Sequence, residues 1–162
     1  MKRQLLIPCV LLVIIFAYSC REAAYFEPRM ESISIIESLD AVPFSFKGDP
    51  DSVQMSFLYK VVSINSIEEL VKPFETFDLD VSDVLEQYDY ENYTFLLRFY
   101  VYFGFKEVEH KLFRDKETGI YSYYVSFYGN DEINTELLFF YTGILVPKIS
   151  GESEIIALWT SS

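Results

Sequence analysis

Residues 94–103, TFLLRFYVYF, constrain the fold more than any other stretch. Nearly every position is aromatic, β-branched or leucine, the composition that strands favour. Apolar side chains fall on both parities, and Arg98 is the only charge. A strand that is apolar on both faces belongs in the middle of a sheet. Gly104 ends it.

The flanking segments set the class. Residues 30–40 alternate over Ile33 and Ile35 and read as a strand, with a short helix as the alternative. Pro43 breaks that run, and residues 47–52 form a Gly- and Pro-containing turn. Residues 53–64 alternate with Val53, Met55, Phe57, Tyr59 and Val61 on one side, which predicts a strand. Ser66 and Glu69 fit a capping box, in which each side chain satisfies the other's backbone N–H. Ile67, Leu70 and Val71 supply that helix with its apolar stripe, and Pro73 is expected to end it. An acidic stretch follows, with Asp80 or Ser82 placed to cap a short helix over 83–87. Then come strands at 105–114, 120–128, 137–146 and 154–159, separated by short turns. Four consecutive strands with short turns predict an antiparallel meander. The expected class is α+β, mainly antiparallel β-sheet (a meander) with one or two short helices, in a single domain over 30–162.

The N-terminus has a different character. Lys2 and Arg3 precede an uncharged apolar run over 5–18, and Ala17-Tyr18-Ser19-Cys20 follows. A positive start, a short apolar core and small residues before a cut site predict a secretory signal peptide over 1–19. The run falls short of the roughly 20 apolar residues that a spanning helix needs. The junction before Cys20 resembles a bacterial lipobox, in which the Cys sulfur takes a diacylglycerol and the freed amino group is acylated. Ser19 fits; Ala17 stands where Leu is usual, and Tyr18 is bulky. Such loose forms resemble the lipoproteins of Bacteroidetes-type bacteria. The resemblance implies palmitate-type acylation of Cys20, a lipidated tether over 20–29, and a membrane held through that anchor. Two or three chains on one Cys would meet the need for two anchoring signals. Arg21, rather than Asp, after the Cys points to the outer membrane. Residues 21–25 lack an acidic export run, which points to the periplasmic face. A cleaved signal peptide with an incidental Cys, or an uncleaved short anchor, remain the alternatives.

The order of strand, I-N-S-I-E-E-L helix, acidic loop and D-Y-E-N-Y-T-F-L-L is similar to the domain of protease-accessory lipoproteins of the PrcB type. That family carries a Gly-rich segment after the central strand, which this chain lacks.

Charge and residue inventory narrow the function. The chain carries 25 acidic residues against 13 basic ones, a net charge of −12. Such a chain repels nucleic acid, so no nucleic-acid partner is expected. Beyond Cys20 there is no thiol and the only His is His110, so a nitrogen and sulfur metal site has no ligand set. His110 is expected to face solvent on a half-exposed strand. Asp78, Asp80, Ser82, Glu86 and Asp89 fall at positions 1, 3, 5, 9 and 12 of a calcium loop. However, Asp83 occupies the position that needs Gly, and Asp89 the one that wants Glu, so a solvated acidic loop is the better expectation. Neither a metal nor another cofactor is expected. Glu107 and Glu109 share one strand face, roughly 7 Å apart by strand geometry. They support the alternative function, a small carboxylate-dependent envelope hydrolase of glycosidase type. No G-x-S-x-G elbow, P-loop or dinucleotide fingerprint is present.

Aromatics remain, with 15 Phe, 13 Tyr and one Trp. Tyr121, Tyr123 and Tyr124, with Tyr100 and Tyr102, are candidates for an exposed face that stacks on a sugar or a protein; the core is their competing use. Within 120–128, Tyr121 and Tyr123 share one face, and Tyr124 and Tyr128 the other. The expected function is a lipid-anchored envelope protein, a non-catalytic binding or accessory module with a protein or glycan partner.

Overall fold

The computed structural model describes residues 29–45, 52–81, 83–129 and 137–161. In chain order these form β1 (Met30–Ser32), β2 (Glu37–Phe44), α1 (Ser52–Phe57), β3 (Val61–Ile64), α2 (Ile67–Thr76), α3 (Asp83–Glu86), β4 (Tyr93–Phe103), β5 (Glu107–Asp115), β6 (Tyr121–Tyr128), β7 (Leu137–Pro147) and β8 (Ile155–Ser161). The strands make two sheets, ordered β2-β7-β4-β3 and β1-β5-β6-β8. The signal peptide and Cys20 lie outside the described residues, as does the tether apart from Arg29.

The apolar run 94–103 is central, as expected. On one side β4 pairs with β7 along its whole length, from Tyr93 opposite Pro147 to Phe103 opposite Leu137. On the other it pairs with β3. Its two parities serve two cores. Phe95, Leu97 and Phe99 pack with Leu70, Phe74 and Phe77 on the helical side. Leu96 and Tyr100 pack with Leu112, Tyr123, Val125 and Phe127 of the second sheet. The molecule is therefore layered helix, sheet, sheet, with β4 in the middle.

That layering overturns the single meander, while the mainly antiparallel α+β class stands. Among consecutive strands only β3–β4 and β5–β6 pair with each other. The chain passes from one sheet to the other between β4 and β5, returns for β7, and crosses again to reach β8. β8 then runs parallel to β6. The physical reason lies in β4 itself. Its two apolar faces need a layer on each side, and a meander in one sheet would leave one of them wet.

Three local expectations also change. The run 30–40 divides into β1 and β2, which lie in different sheets, and Pro43 sits inside β2 instead of breaking it. The alternating run 53–64 divides into α1, a turn at Tyr59, and the short β3. Tyr59 takes a left-handed φ of 64°, a conformation that L residues adopt reluctantly. Gln54 Nε2 donates to the Thr76 carbonyl at 3.1 Å, and the Phe57 ring meets Phe77, so contacts with the α2 end outweigh local strand preference. In α2, Ser66 is the N-cap and accepts from the Glu69 N–H at 3.3 Å, while Glu69 accepts from the Asn65 N–H at 2.7 Å. Pro73 does not end the helix, which continues to Thr76. An interior Pro costs a helix about 3 kcal/mol. Here Leu70, Pro73 and Phe74 are all buried, and Phe77 stacks on Phe99 at 4.4 Å. Burying each large side chain contributes about 1.5–3 kcal/mol, enough to offset the break.

Candidate functional site

Between the sheets lies a polar cluster that no simple pattern announces. Arg98 points from β4 toward the second sheet and is fully buried. Its Nη1 donates to the Leu158 carbonyl at 2.9 Å, and its Nη2 to the Tyr59 carbonyl at 2.8 Å. The guanidinium lies 4.6 Å from the Tyr100 ring centre and 5.9 Å from that of Tyr123. No ion pair among the described residues involves it. Its Nε and the Tyr100 hydroxyl have no partner. Burial pulls the Arg98 pKa down, and the two tyrosine rings partly counter this. Burial likewise pushes Tyr100 and Tyr123 up, so both phenols stay protonated.

His110 sits in the same layer, contrary to the expectation that it faces solvent. Along β5, Val108, His110 and Leu112 turn inward, opposite Phe127, Val125 and Tyr123 of β6. His110 Nδ1 is 2.9 Å from the Tyr123 hydroxyl, and Nε2 is 3.1 Å from Thr142 Oγ1. Thr142 Oγ1 itself donates to the Leu39 carbonyl at 2.7 Å. Its one hydrogen is therefore spent, so it accepts from His110 Nε2–H. Nδ1 then accepts from Tyr123. The network is complete only for a neutral imidazole, and it links β6, β5, β7 and β2. Burial pushes the His110 pKa down to about 4; Arg98 acts in the same direction, while Asp40 and Glu109 oppose it.

The outward face of the β1-β5-β6-β8 sheet is different in kind. The same alternation that turns Tyr123, Val125 and Phe127 inward turns Ser122, Tyr124, Ser126 and Tyr128 outward. Tyr124 meets Phe113 edge-on at 5.7 Å and lies opposite Leu158 of β8. Phe113, Tyr124, Leu158 and the exposed Ile156 belong to neither core cluster. Polar groups border this strip. Thr160 Oγ1 donates to Ser126 Oγ at 3.1 Å. Lys111 pairs with Glu109 at 3.0 Å, and the Tyr128 hydroxyl donates to Glu109 at 2.9 Å. The helices lie against the other sheet, leaving this face uncovered among the described residues.

The sequence-derived aromatic set is thus divided. Tyr100 and Tyr123 are fully buried, and Tyr102 and Tyr121 are half-buried against the same interior. Only Tyr124 looks outward. A second exposed group, not foreseen, forms at the rim, where the Tyr59 and Trp159 rings stack 6.2 Å apart and Tyr102 meets Trp159 edge-on.

The carboxylates are placed as follows. Glu107 and Glu109 share the outward face of β5. Lys111, then Tyr128, hold the Glu109 carboxyl below the usual carboxylate range. Of the calcium-loop candidates, Asp78, Asp80 and Glu86 are exposed, and Ser82 lies outside the described residues. The Asp89 side chain accepts from the Asn92 Nδ2 at 2.8 Å and the Glu91 N–H at 3.1 Å, closing its own turn. An open cleft of about 660 Å³ borders this turn, between Asn65, Ser66, Glu86 and Lys148. Lys148 Nζ is held there by the carbonyls of Asn65 and Tyr90.

The fold and its surfaces define a two-sheet β-sandwich with helices on one side and an aromatic strip on the other. No protein-family model, curated protein or solved structure matches the chain.

Proposed function

We propose that this chain is a lipid-anchored envelope protein, held through Cys20 at the periplasmic face of the outer membrane. There it acts as a non-catalytic binding module for a neutral glycan. One observation carries the binding reading: the outward face that joins Phe113, Tyr124 and Leu158 to the hydroxyls of Ser126 and Thr160 and the Glu109–Lys111 pair. Aromatic rings cover the apolar face of a sugar, while hydroxyls and carboxylates take its OH groups. Side chains fixed on a sheet bind at low entropic cost. The net charge of −12 disfavours an anionic glycan. The rival hydrolase needs a carboxylic acid whose pKa is raised. Glu109 is shifted the other way, so it does not fit the role of that acid.

Two experiments test this. Detergent-extracted chain is applied to an array of neutral polysaccharides, wild type beside Tyr124→Ala and Tyr128→Ala. Tyr124→Ala should weaken binding at least tenfold. Unchanged binding, or a glycan turnover abolished by Glu109→Gln, would favour the hydrolase. For the anchor, a palmitate analogue should label the wild-type chain and not Cys20→Ala; label that survives the substitution refutes it.

A further inference from the structure

We propose that two copies of this chain pair through β8, antiparallel across a two-fold axis, and continue the β1-β5-β6-β8 sheet from one copy into the other. The argument starts from sheet edges, whose unpaired N–H and C=O groups invite another strand unless something blunts them. Among the described residues two sheets give four edges, β1, β8, β2 and β3. Three are blunted. β1 has only three residues, one of them Glu31. β2 carries Glu37, Asp40 and Pro43 and an irregularity between Leu39 and Val42. β3 has four residues and runs directly into α2. β8, in contrast, has seven residues in unbroken register, IIALWTS, with no charge, Pro or Gly.

The backbone groups left free among the described residues can be named. The Tyr121 N–H donates to the Glu154 carbonyl at 3.0 Å, which sets the phase of the parallel ladder. In that phase Ile156 and Leu158 turn their backbone groups to β6, and Ala157 and Trp159 turn theirs away. Large exposed apolar side chains gather at this edge: Ile156, Trp159 and, stacked on the Trp, Tyr59.

A second copy fits better than a foreign strand because the edge is self-complementary. Copies of a chain with net charge −12 repel one another, and like charges directly opposite in a sheet are destabilising. Pairing through β8 puts none opposite. A register centred on Leu158 sets the bulky Trp159 against the small Ala157 of the second copy on one face. On the other face the two Leu158 side chains meet. A closed two-fold interface of this kind also removes the edge instead of propagating it. The inference stands apart from the glycan reading, since its test involves no sugar.

The test uses the full chain in membranes, with Leu158→Cys and a mild thiol oxidant. The two Leu158 positions would form a non-hydrogen-bonded pair with Cα atoms about 4.5 Å apart, inside the disulfide range of about 4.4–6.8 Å. Leu158→Cys should therefore convert most of the chain to a covalent dimer, well above the yield from the wild-type chain treated in the same way. Thr160→Cys alone should stay at background, because its two copies would be about 13 Å apart. Adding Ile156→Cys to Thr160→Cys should restore the cross-link, and this exposed pair serves if Leu158→Cys fails to fold. Equal yields at all positions, or no dimer from either the Leu158 variant or the double variant, would overturn the proposal. So would a monomeric mass for the detergent-extracted wild-type chain at tens of micromolar.

Discussion

Replacing His110 with Gln should flatten the acid side of the stability profile by an amount that the site sets. In the folded chain burial holds the imidazole at about 4, against an ordinary value of 6.5. As pH falls below 6.5 the unfolded chain takes up this proton and the folded chain does not, so stability drops. The loss stops growing near pH 4, where the folded chain takes the proton too. Between pH 7 and pH 5 the linkage amounts to about 2 kcal/mol. Gln keeps a donor and an acceptor for Thr142 and Tyr123 but cannot titrate. Asp89 and Asp115, both held below the ordinary range, are present in both proteins and cancel in the comparison. Urea unfolding at pH 7, 6 and 5 measures the effect. The wild-type minus variant difference should fall by about 2 kcal/mol across that range. A difference that stays flat would mean that His110 is open to water and that the inward assignment of β5 is wrong.

Three further outcomes follow from packing, each read by urea midpoint at neutral pH. Phe99→Ala removes the ring on which Phe77 stacks and which Phe74, Phe44 and Tyr141 flank; it should cost about 3–5 kcal/mol, and a loss under about 1 kcal/mol would place β4 at an edge. Gly143→Ala sets a methyl 2.5 Å from the Leu96 carbonyl oxygen and 2.6 Å from the Phe95 ring. It should cost about 1–3 kcal/mol, the range for overpacking, and a neutral result would refute that close approach. Ser66→Ala deletes the α2 cap and should cost about 1 kcal/mol.

Some of this was legible in the sequence. The central strand was, because apolar residues on both parities leave a strand nowhere else to go. The Ser66 half of the capping box was, because it is a local contact, while the Glu69 carboxylate takes the N–H of Asn65 instead of that of Ser66. The inward turn of His110 was also available, since Val108 and Leu112 flank it on one parity and Glu107, Glu109 and Lys111 mark the other. The lone charge in 94–103 singled out Arg98 without saying what would receive it. Its acceptors, Tyr59 and Leu158, lie 39 and 60 positions away. Which tyrosines face inward depends on where the second sheet lies, and no local pattern carries that. The turn at 104–106 reads like a hairpin connection, yet it leads from one sheet to the other.

The strand order has a consequence for time as well as for shape. Only β3–β4 and β5–β6 can zip between neighbours in the chain. The Thr142 hydroxyl reaches the Leu39 carbonyl over 103 positions, and β2 and β7 pair from Glu37 opposite Leu145 to Phe44 opposite Phe139. β8 pairs with β6 although β7, which lies between them in the chain, belongs to the other sheet. Loop closures of that length come before any reward in burial, which puts folding in the slow, millisecond-to-second regime of β-rich topologies. Until β7 arrives, β4 lacks its longest partner strand, so the β3–β4 pair waits on a segment made late in synthesis.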